Sequence, residues 1–395
     1  MDAVSGVSDY ASTRDQEQLR IHELRLAQFT RRYRPDRRTI FLFVGGMGSN
    51  LHRARAPLDP FYDRVWLGPG SFMGEALALR MNRDGKGVHR DLDDRVIVAD
   101  GLVKIGGLSL YDRFTRWCES NGFNLFVFAW DWRRRLEETV ALFTAFLPRF
   151  RERVGSAYGV DPLRGFVLLG HSYGGVIVKL LLDEPSQEMD ELSLTIACAT
   201  PFYGFGVVIR RWLQGDPYLN LLGRREVIRT ICSLPGCYPL AYLDEPTFRQ
   251  NEVAMAGDAF PLLSYPSQDA DGRVVDPYWP SERQYPADTG FDHAELAHGG
   301  TIARRVAALP QRRADKLFCV RGVGFDTVGA ITWGTSITPR PPLVPGDGIQ
   351  PAWGTRLAAL PADQCVTVAN PDHMFFLEHR ETQRALAELL PCAAA

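Results

Sequence analysis

The stretch "FVLLGHSYGGVIVKLLLDE" (residues 166–184) places a serine between two glycines, where a short apolar run meets a longer one. The residues before Gly170 favour a buried strand, and those after Gly174 favour a helix. A sharp strand-to-helix turn leaves no room for side chains at the flanking positions and holds its central residue in a strained, exposed conformation. The pattern predicts a nucleophile elbow at Ser172; the competing interpretation is a tight glycine turn with an incidental serine.

Similar apolar runs recur along the chain and alternate with helical patterns. Buried-strand patterns occupy residues 39–46, 124–132, 166–170, 192–201, 316–324 and 365–370. Helical periodicity occupies residues 134–150, 175–184 and 374–390. Because continuous apolar strands that alternate with helices are typical of parallel sheets, the sequence predicts an α/β fold with a mostly parallel sheet covered by helices on both faces.

The alternation also predicts a division of the chain. Residues 1–38 form an Arg-rich helical arm that is solvated and ended by Pro35. Residues 39–201 form the first part of the core, and residues 316–395 form the second. The segment 202–315 is irregular and rich in aromatic residues and prolines; it is too long for a plain loop, so we expect an inserted cap or lid.

Composition narrows the class of protein. The chain has 395 residues, of which 45% are hydrophobic. Its net charge of −2 gives no electrostatic reason to expect a nucleic-acid partner. The N-terminus lacks the pattern of a secretory signal, and no apolar run is long enough for a transmembrane segment. Seven cysteines without CxxC pairs indicate reduced thiols. We therefore expect a cytoplasmic protein with seven free thiols; the oligomeric state is unknown.

A serine nucleophile needs a histidine base and an acid. When the serine lies in an elbow of this kind, the acid and then the histidine follow it along the chain, so the order is Ser, Asp or Glu, His. His373 lies in the loop after the final strand pattern and is favoured over His379, which lies inside the final helical pattern. Asp347 lies between glycines in "PGDGIQP", where a simple turn aspartate is the alternative interpretation. Asp326 in "GVGFDTVG" is the competing acid.

The oxyanion of acyl transfer needs two backbone N–H donors. One donor is the residue after the serine, Tyr173, and the other comes from the glycine-rich loop "FVGGMGSNL" (43–51), where we expect Met47, with Gly46 as the alternative. A phosphate cradle is the competing interpretation of this loop, but no lysine follows in the required pattern. The chemistry needs neither a metal nor an organic cofactor.

With these motifs in order, the sequence resembles the lecithin:cholesterol acyltransferase-like family of α/β-hydrolases, which includes lipases and acyltransferases. The similarity covers residues 39–390 and is carried by "VGGMGSNL", "AWDWRRR", "IACATPFYGF", "SLPGCYPL", "CVRGVGFDT", "GDGIQP" and "DHMFFL". It implies an α/β-hydrolase fold with Ser172 as nucleophile, Asp347 as acid and His373 as base, and with Met47 and Tyr173 as oxyanion donors. It also implies that Trp130–Arg133 fix the active-site end of the sheet through buried hydrogen bonds.

One family feature is missing. Secreted members carry a disulfide-closed, membrane-docking lid, whereas residues 52–75 contain Trp66 and no cysteine. We therefore expect a small-molecule or lipid-like ester with a bulky or long acyl group, taken as a monomer.

Two activities stay open: hydrolysis by a serine esterase or lipase, and acyl transfer or cyclisation in a natural-product or lipid pathway. A hydrolase-fold binding protein without catalysis is a third hypothesis. Aromatic residues could line an acyl groove, or could simply form the core of the cap: Trp66, Phe202, Tyr203, Phe205, Trp212, Tyr238, Tyr242, Tyr278 and Trp279.

Overall fold

A computed structural model describes residues 5–54, 62–66, 79–83, 89–91, 96–105, 108–216, 223–256, 258–260, 264–278 and 289–390. Most of the segment 52–75, in which the lid difference was noted, lies outside these residues. So do Trp279 and Cys392.

A six-stranded sheet forms the centre of the molecule. Its strands are β1 (Arg38–Phe43), β2 (Phe123–Val127), β3 (Val167–His171), β4 (Leu194–Cys198), β5 (Leu317–Val323) and β6 (Cys365–Ala369). The order across the sheet is β6-β5-β4-β3-β1-β2, and every neighbouring pair is parallel. Each strand falls within one of the predicted apolar runs or overlaps it by all but one residue, so the predicted fold class is confirmed.

Helices surround this sheet. They are α1 (Ser5–Thr30), α2 (Asp112–Ser120), α3 (Leu136–Tyr158), α4 (Tyr173–Leu181), α5 (Gly206–Gln214), α6 (Arg224–Cys232), α7 (Glu245–Ala256), α8 (His293–Ala307) and α9 (Arg380–Leu389). Within the described residues, none of the helices is both long enough and apolar enough to cross a bilayer.

Short strands form small sheets at the periphery. Three of these small sheets are antiparallel: Ser49–Ala54 with Tyr62–Arg64 and Ile97–Leu102, Met81–Arg83 with His89–Asp91, and Lys104–Ile105 with Leu108–Ser109. Two more follow later in the chain: Ser267–Asp269 with Ile331–Trp333 and Thr338–Pro339, and Phe325–Thr327 with Val344–Gly346. The sequence analysis did not predict these strands. Most have only two or three residues, and the two longer ones, Ser49–Ala54 and Ile97–Leu102, lack the continuous apolar run of the central strands.

Aromatic side chains fasten α3 to the sheet. The ring of Phe41 in β1 lies 5.2 Å from Phe143 and 4.8 Å from Phe150, both on α3. Phe43, two positions further along β1, lies 5.0 Å from the same Phe143 ring. Each fully buried phenylalanine contributes about 1.5–3 kcal/mol relative to an exposed one. The strand that leads into the predicted oxyanion loop is therefore held rigidly from one side.

The N-terminal helix forms as predicted and ends at Thr30, before Pro35. The expectation that it is a solvated arm is wrong. Leu26 and His22 are buried in it, and the Gln18 amide both donates to and accepts from the backbone of Ala99, at 2.9 and 2.8 Å. Burial lowers the pKa of His22 to about 3, so its ring packs as a neutral group against Phe128. The arginine-rich pattern described the exposed face of this helix and concealed its buried one.

The six described cysteines are free thiols, as expected of a reduced protein: Cys118, Cys198, Cys232, Cys237, Cys319 and Cys365. Burial raises the pKa of each of these thiols above its ordinary value. A buried thiol of raised pKa is a poor nucleophile, so these cysteines serve packing.

The segment 202–315 is more regular than expected. Its described residues include the four helices α5 to α8, and aromatic side chains of the segment pack on one another; the Trp212 ring lies 5.2 Å from Tyr238 and 5.5 Å from Phe291. Prolines and glycines between the helices concealed their periodicity. The strand Ser267–Asp269 pairs with Ile331–Trp333, beyond residue 315, so the boundaries of a separate cap stay a prediction.

An ion cluster ties the inserted segment to the edge of the sheet. The Asp258 carboxylate accepts hydrogen bonds from Arg321 on β5 at 2.8 Å and from Arg356 at 3.0 Å. The Asp258 and Arg321 side chains are only 9% and 7% exposed. Burial by itself raises the pKa of Asp258, but the charge and hydrogen bond of Arg321 outweigh it, and the pKa is lowered overall. The carboxylate therefore stabilises the folded state in its charged form.

We predict that Asp258→Asn lowers the free energy of unfolding at pH 7 by about 3–5 kcal/mol, because it leaves a buried guanidinium unpaired. A carboxyl whose folded pKa is depressed stabilises fully above its unfolded pKa of about 3.9 and loses this effect as the pH falls through the folded pKa. The gap between wild type and variant should therefore shrink below about pH 4. Urea unfolding at several pH values measures it.

The matched control is Glu381→Gln, which removes the exposed ion pair between Glu381 and Arg384. We expect this change to stay within about 0.5 kcal/mol of wild type. Equal losses for the two variants would contradict the role given to Asp258.

Candidate active site

Ser172 lies between β3 and α4 with a φ of 52° and a ψ of −122°. A serine pays a conformational cost for a positive φ, and the surroundings must hold it there. The Ser172 N–H donates to the carbonyl of Cys198 on β4 at 2.8 Å, and the Ser172 carbonyl accepts from Gly175 at 2.9 Å. Both backbone groups of the strained residue are therefore satisfied.

Two glycines allow the turn to be this sharp. A β-carbon at Gly170 would lie 2.5 Å from the carbonyl oxygen of Gly174. A β-carbon at Gly174 would lie 2.1 Å from the carbonyl oxygen of Phe43 at the end of β1. No real side chain tolerates these distances, so the G-x-S-x-G spacing is a packing requirement of the elbow.

The structure brings the three predicted triad residues together. The Ser172 hydroxyl donates to His373 Nε2 at 2.9 Å, and His373 Nδ1–H donates to Asp347 Oδ2 at 2.8 Å. His373 and Asp347 are 5% and 1% exposed. The other carboxylate oxygen, Oδ1, accepts the backbone N–H groups of Ile349 at 3.0 Å and Gln350 at 2.7 Å. These bonds fix the carboxylate and leave Oδ2 for the histidine.

The loops that carry the acid and the base also bond to each other. Asp347 follows the short strand Val344–Gly346, and His373 lies in the turn after β6. The His373 N–H donates to the Asp347 carbonyl at 3.0 Å. The backbone bond and the side-chain bond between these residues fix the imidazole relative to the carboxylate.

The two competing candidates lie elsewhere. Asp326 is exposed on the strand Phe325–Thr327, where it pairs with Pro345. His379 occupies the position directly before α9, and the expectation that it lies inside this helix is wrong. The reason is tertiary: Glu378, in the 3₁₀ turn before His379, accepts N–H bonds from Arg113 and Phe114 at the start of α2.

The glycine-rich loop after β1 forms a tight turn. The Gly48 N–H donates to the Gly45 carbonyl at 2.9 Å, and Met47 has a φ of 68°, which is the pattern of a type II turn. Within the described part of the chain, the backbone N–H groups of Gly46 and Met47 have no hydrogen-bond partner. The side chain of Tyr173 lies 3.4 Å from the position of a β-carbon on Gly46. The turn therefore offers free amides beside the elbow.

Two tryptophans hold this turn through its carbonyl groups. Trp130 Nε1–H donates to the carbonyl of Val44 at 3.0 Å. Trp66 Nε1–H donates to the carbonyl of Met47 at 2.9 Å. These two bonds fix the peptide units on either side of the Gly46 and Met47 amides. The Gly46 amide shares its peptide plane with the Gly45 carbonyl, which is held by the Gly48 N–H.

The other predicted donor, the Tyr173 N–H, is the first amide of α4, and a first helical amide has no partner within its helix. The Tyr173 hydroxyl donates to the carbonyl of Gly236, whose N–H donates to Arg133 at 2.8 Å. The Arg133 guanidinium is fully buried and pairs with both oxygens of Asp131. The segment Trp130–Arg133 thus braces the elbow through buried bonds.

The aromatic residues suggested as substrate contacts lie mostly in the protein interior. Phe202 and Tyr203 are 1% exposed, and the Tyr203 hydroxyl accepts the N–H of Ala358 at 2.6 Å. Trp66 is buried against Trp132, with ring centroids 5.3 Å apart. These three residues pack within the protein interior, and their contact with an acyl group stays a prediction.

Two further residues touch this site, and no role in it was predicted for them. The Tyr111 hydroxyl accepts the N–H of Gly45 at 3.1 Å and bonds to His171 Nδ1 at 2.9 Å. His171 Nε2 bonds to the carbonyl of His373 at 3.0 Å. His171 was visible as part of the elbow pentapeptide, but Tyr111 belongs to no motif.

In the described ranges, no group of three or more His, Cys, Asp and Glu side chains is arranged to hold a metal ion. The side chains of Ser172, His373 and Asp347 instead form a continuous line of hydrogen bonds.

No known protein family and no curated protein sequence matches this chain. Among solved structures, it is similar to a chain in the crystal structure of the Tle4–Tli4 complex, with 14% identity and a TM-score of 0.57 over 88% of this chain and 97% of that one. It is also similar to Bacillus licheniformis lipase BlEst2 in its mature form, with 10% identity and a TM-score of 0.39 over 90% and 93% of the two chains. The first similarity shows a shared fold, and the parallel sheet with its strand-to-helix elbow is the α/β-hydrolase fold.

We predict that Gly174→Ala destabilises the protein by more than about 3 kcal/mol, because its β-carbon would overlap the carbonyl of Phe43 and force backbone to move. Urea unfolding measures the loss. Gly334→Ala is the matched control, since its nearest atom would be 3.7 Å away. Two variants of equal stability would show that the elbow does not need its glycine.

Proposed function

We propose that this protein is a serine-dependent acyl hydrolase that acts on esters or thioesters through an acyl-Ser172 intermediate. The observation that carries the proposal is the continuous line of hydrogen bonds from Ser172 through His373 to Asp347, at 2.9 and 2.8 Å. The strained elbow that presents the serine and the free amides beside it support the same reaction.

The geometry accounts for each step. His373 Nε2 takes the proton as Ser172 Oγ attacks the carbonyl carbon, and Asp347 stabilises the imidazolium that forms. The amides of Tyr173 and of Met47 or Gly46 bind the oxyanion, and each such donor contributes about 3–4 kcal/mol to the transition state. His373 then gives the proton to the leaving group. Water, activated by the same histidine, releases the acid from Ser172.

The chain's motifs support placing it, within the α/β-hydrolases, in the lecithin:cholesterol acyltransferase-like family. Acyl transfer uses the same intermediate, with an alcohol in place of water in the second half. Product analysis with and without added alcohols separates the two activities, because a transferase forms a new ester at the expense of free acid. We give hydrolysis as the primary function, since water is always available to the acyl-enzyme.

The substrate proposed is a monomeric ester with a long or bulky apolar acyl group. Its support is an apolar rim beside the acid and base loops: Met374 and Phe375 follow His373 directly and are 44% and 53% exposed. Phe325, 37% exposed, lies against Gly348 of the acid loop. Exposed apolar side chains around a polar site offer area that an acyl chain can cover.

We predict that Ser172→Ala lowers kcat on the order of 10⁶-fold with the fold intact, because Ser172 is the nucleophile bonded to His373 Nε2 among the residues that the structure describes. His373→Ala should do nearly as much. Asp347→Asn should lower kcat about 10⁴-fold, since the imidazole loses its orienting carboxylate. Steady-state kinetics with p-nitrophenyl esters measures these losses.

The matched controls are His379→Ala and Asp326→Asn, which change the same residue types outside the triad. We expect both to retain activity within a few-fold of wild type. Loss of activity in either control, with His373→Ala or Asp347→Asn still active, would reassign the base or the acid.

A second prediction concerns chain length. Burial of a methylene contributes roughly 0.8 kcal/mol, so kcat/KM should rise several-fold per added methylene beyond acetate until the groove is full. Phe375→Ser should flatten this profile while leaving the acetate rate near that of wild type. Leu24→Ser, which removes an exposed leucine from α1, should leave the profile unchanged.

Chain-length series measured below and above the critical micelle concentration complete this test. A preference for acetate would contradict the apolar acyl site. A rate increase confined to micellar substrate would show that aggregates, and not monomers, are the substrate.

A further inference from the structure

The buried pair Tyr111–His171 connects two loops, and the proposed reaction requires that these loops keep a fixed separation. Tyr111 precedes α2, and His171 is the last residue of β3, directly before Ser172. Both residues are 3% exposed, so they are too deeply buried to contact an acyl group from solvent. Their bonds end at Gly45 of the oxyanion turn and at the backbone of His373.

The direction of each bond follows from its chemistry. The carbonyl of His373 can only accept, so His171 Nε2 carries a proton. Burial, with a smaller contribution from the neighbouring His373, lowers the pKa of His171 well below its usual range, so the ring is neutral and Nδ1 is an acceptor. The Tyr111 O–H therefore donates to Nδ1 at 2.9 Å, and its oxygen accepts the N–H of Gly45. Burial raises the pKa of Tyr111, which keeps its hydroxyl protonated.

The chain of donors thus runs one way, from Gly45 N–H through Tyr111 and His171 to the carbonyl of His373. We propose that Tyr111 and His171 are positioning residues that hold the oxyanion turn and the base loop at a fixed separation around Ser172. This inference rests on the proposed hydrolase function.

The backbone amides of the oxyanion turn therefore have different roles. The bond to Tyr111 engages the N–H of Gly45, which leaves the amides of Gly46 and Met47 to face the substrate. At the other end, the bond to the His373 carbonyl acts on the same residue whose N–H binds Asp347. A shift of one loop is therefore transmitted to the other through two buried side chains. Displacement of a catalytic group by 1 Å costs on the order of 100-fold in rate.

The test is a double-mutant cycle on Tyr111→Phe and His171→Leu, with kcat and KM corrected for the fraction of active sites. Each single variant should lower kcat about 10- to 100-fold with KM within about twofold of wild type, since positioning affects the transition state more than binding. Because the two residues act as one chain, the double variant should lose far less than the product of the single losses. Phosphonylation of Ser172 by a fluorophosphonate should slow in parallel with kcat.

Two further variants separate positioning from packing. His171→Asn keeps an acceptor where Nδ1 lies and removes the donor to His373, so it should retain more activity than His171→Leu and also serves if the leucine variant does not fold. Tyr265→Phe is the matched control, because it removes a buried hydroxyl that donates to the Leu243 carbonyl at 2.7 Å, away from the site. It should lower the melting temperature without changing kcat.

The positioning role would be overturned if the corrected kcat of the single variants stayed within twofold of wild type, or if the losses in the double variant simply multiplied. In either case an active wild-type protein would still support the proposed function. A wild-type protein that neither hydrolyses esters nor reacts with the fluorophosphonate would overturn both.

Discussion

The close approach of α4 to the carboxyl ends of β1 and β3 is the constraint on which the site depends. Missing side chains at Gly170 and Gly174 permit this approach, and it forces Ser172 into a positive φ. The strained serine then presents its hydroxyl outward, and the first amide of α4 is left free beside it. The positions of the proposed nucleophile and of one proposed oxyanion donor therefore follow from the same packing contact.

The sheet supplies the rest of the site by topology. Parallel strands end at one edge, so the loops after β1 and β6 and the acid loop that follows β5 along the chain meet where β3 ends. Buried groups then fix each loop: tryptophan indoles hold the carbonyls of the glycine turn, backbone amides hold the acid, and the acid holds the base. The proposed site is thus a set of loops that buried hydrogen bonds hold in place. Electrostatic stabilisation by such prearranged dipoles needs no reorganisation during reaction.

The central sheet could be predicted from sequence because a parallel strand that is buried on both faces reads as an uninterrupted apolar run. The elbow was equally visible, because its glycine spacing follows from local turn chemistry. His373 was preferred over His379 for its position in a loop, whereas Asp347 was preferred over Asp326 mainly through the family resemblance. Features set by tertiary contacts were not visible. The packing of α1 depends on a hydrogen-bonded match between Gln18 and Ala99, and the start of α9 depends on Glu378 binding the N-terminus of α2. Tyr111 touches Gly45 across 66 positions of sequence, and no local pattern signals such a contact.

The central claim is that Ser172 carries the acyl group during turnover. Rapid acid quench of the protein during reaction with a p-nitrophenyl ester, followed by intact-mass and peptide mass spectrometry, tests this claim directly. The account predicts one acyl addition, located on the peptide that contains Ser172, absent from Ser172→Ala and accumulating at the rate of the initial p-nitrophenol burst. The claim would be contradicted if Ser172→Ala hydrolysed the ester at a rate near that of wild type without forming an acyl adduct.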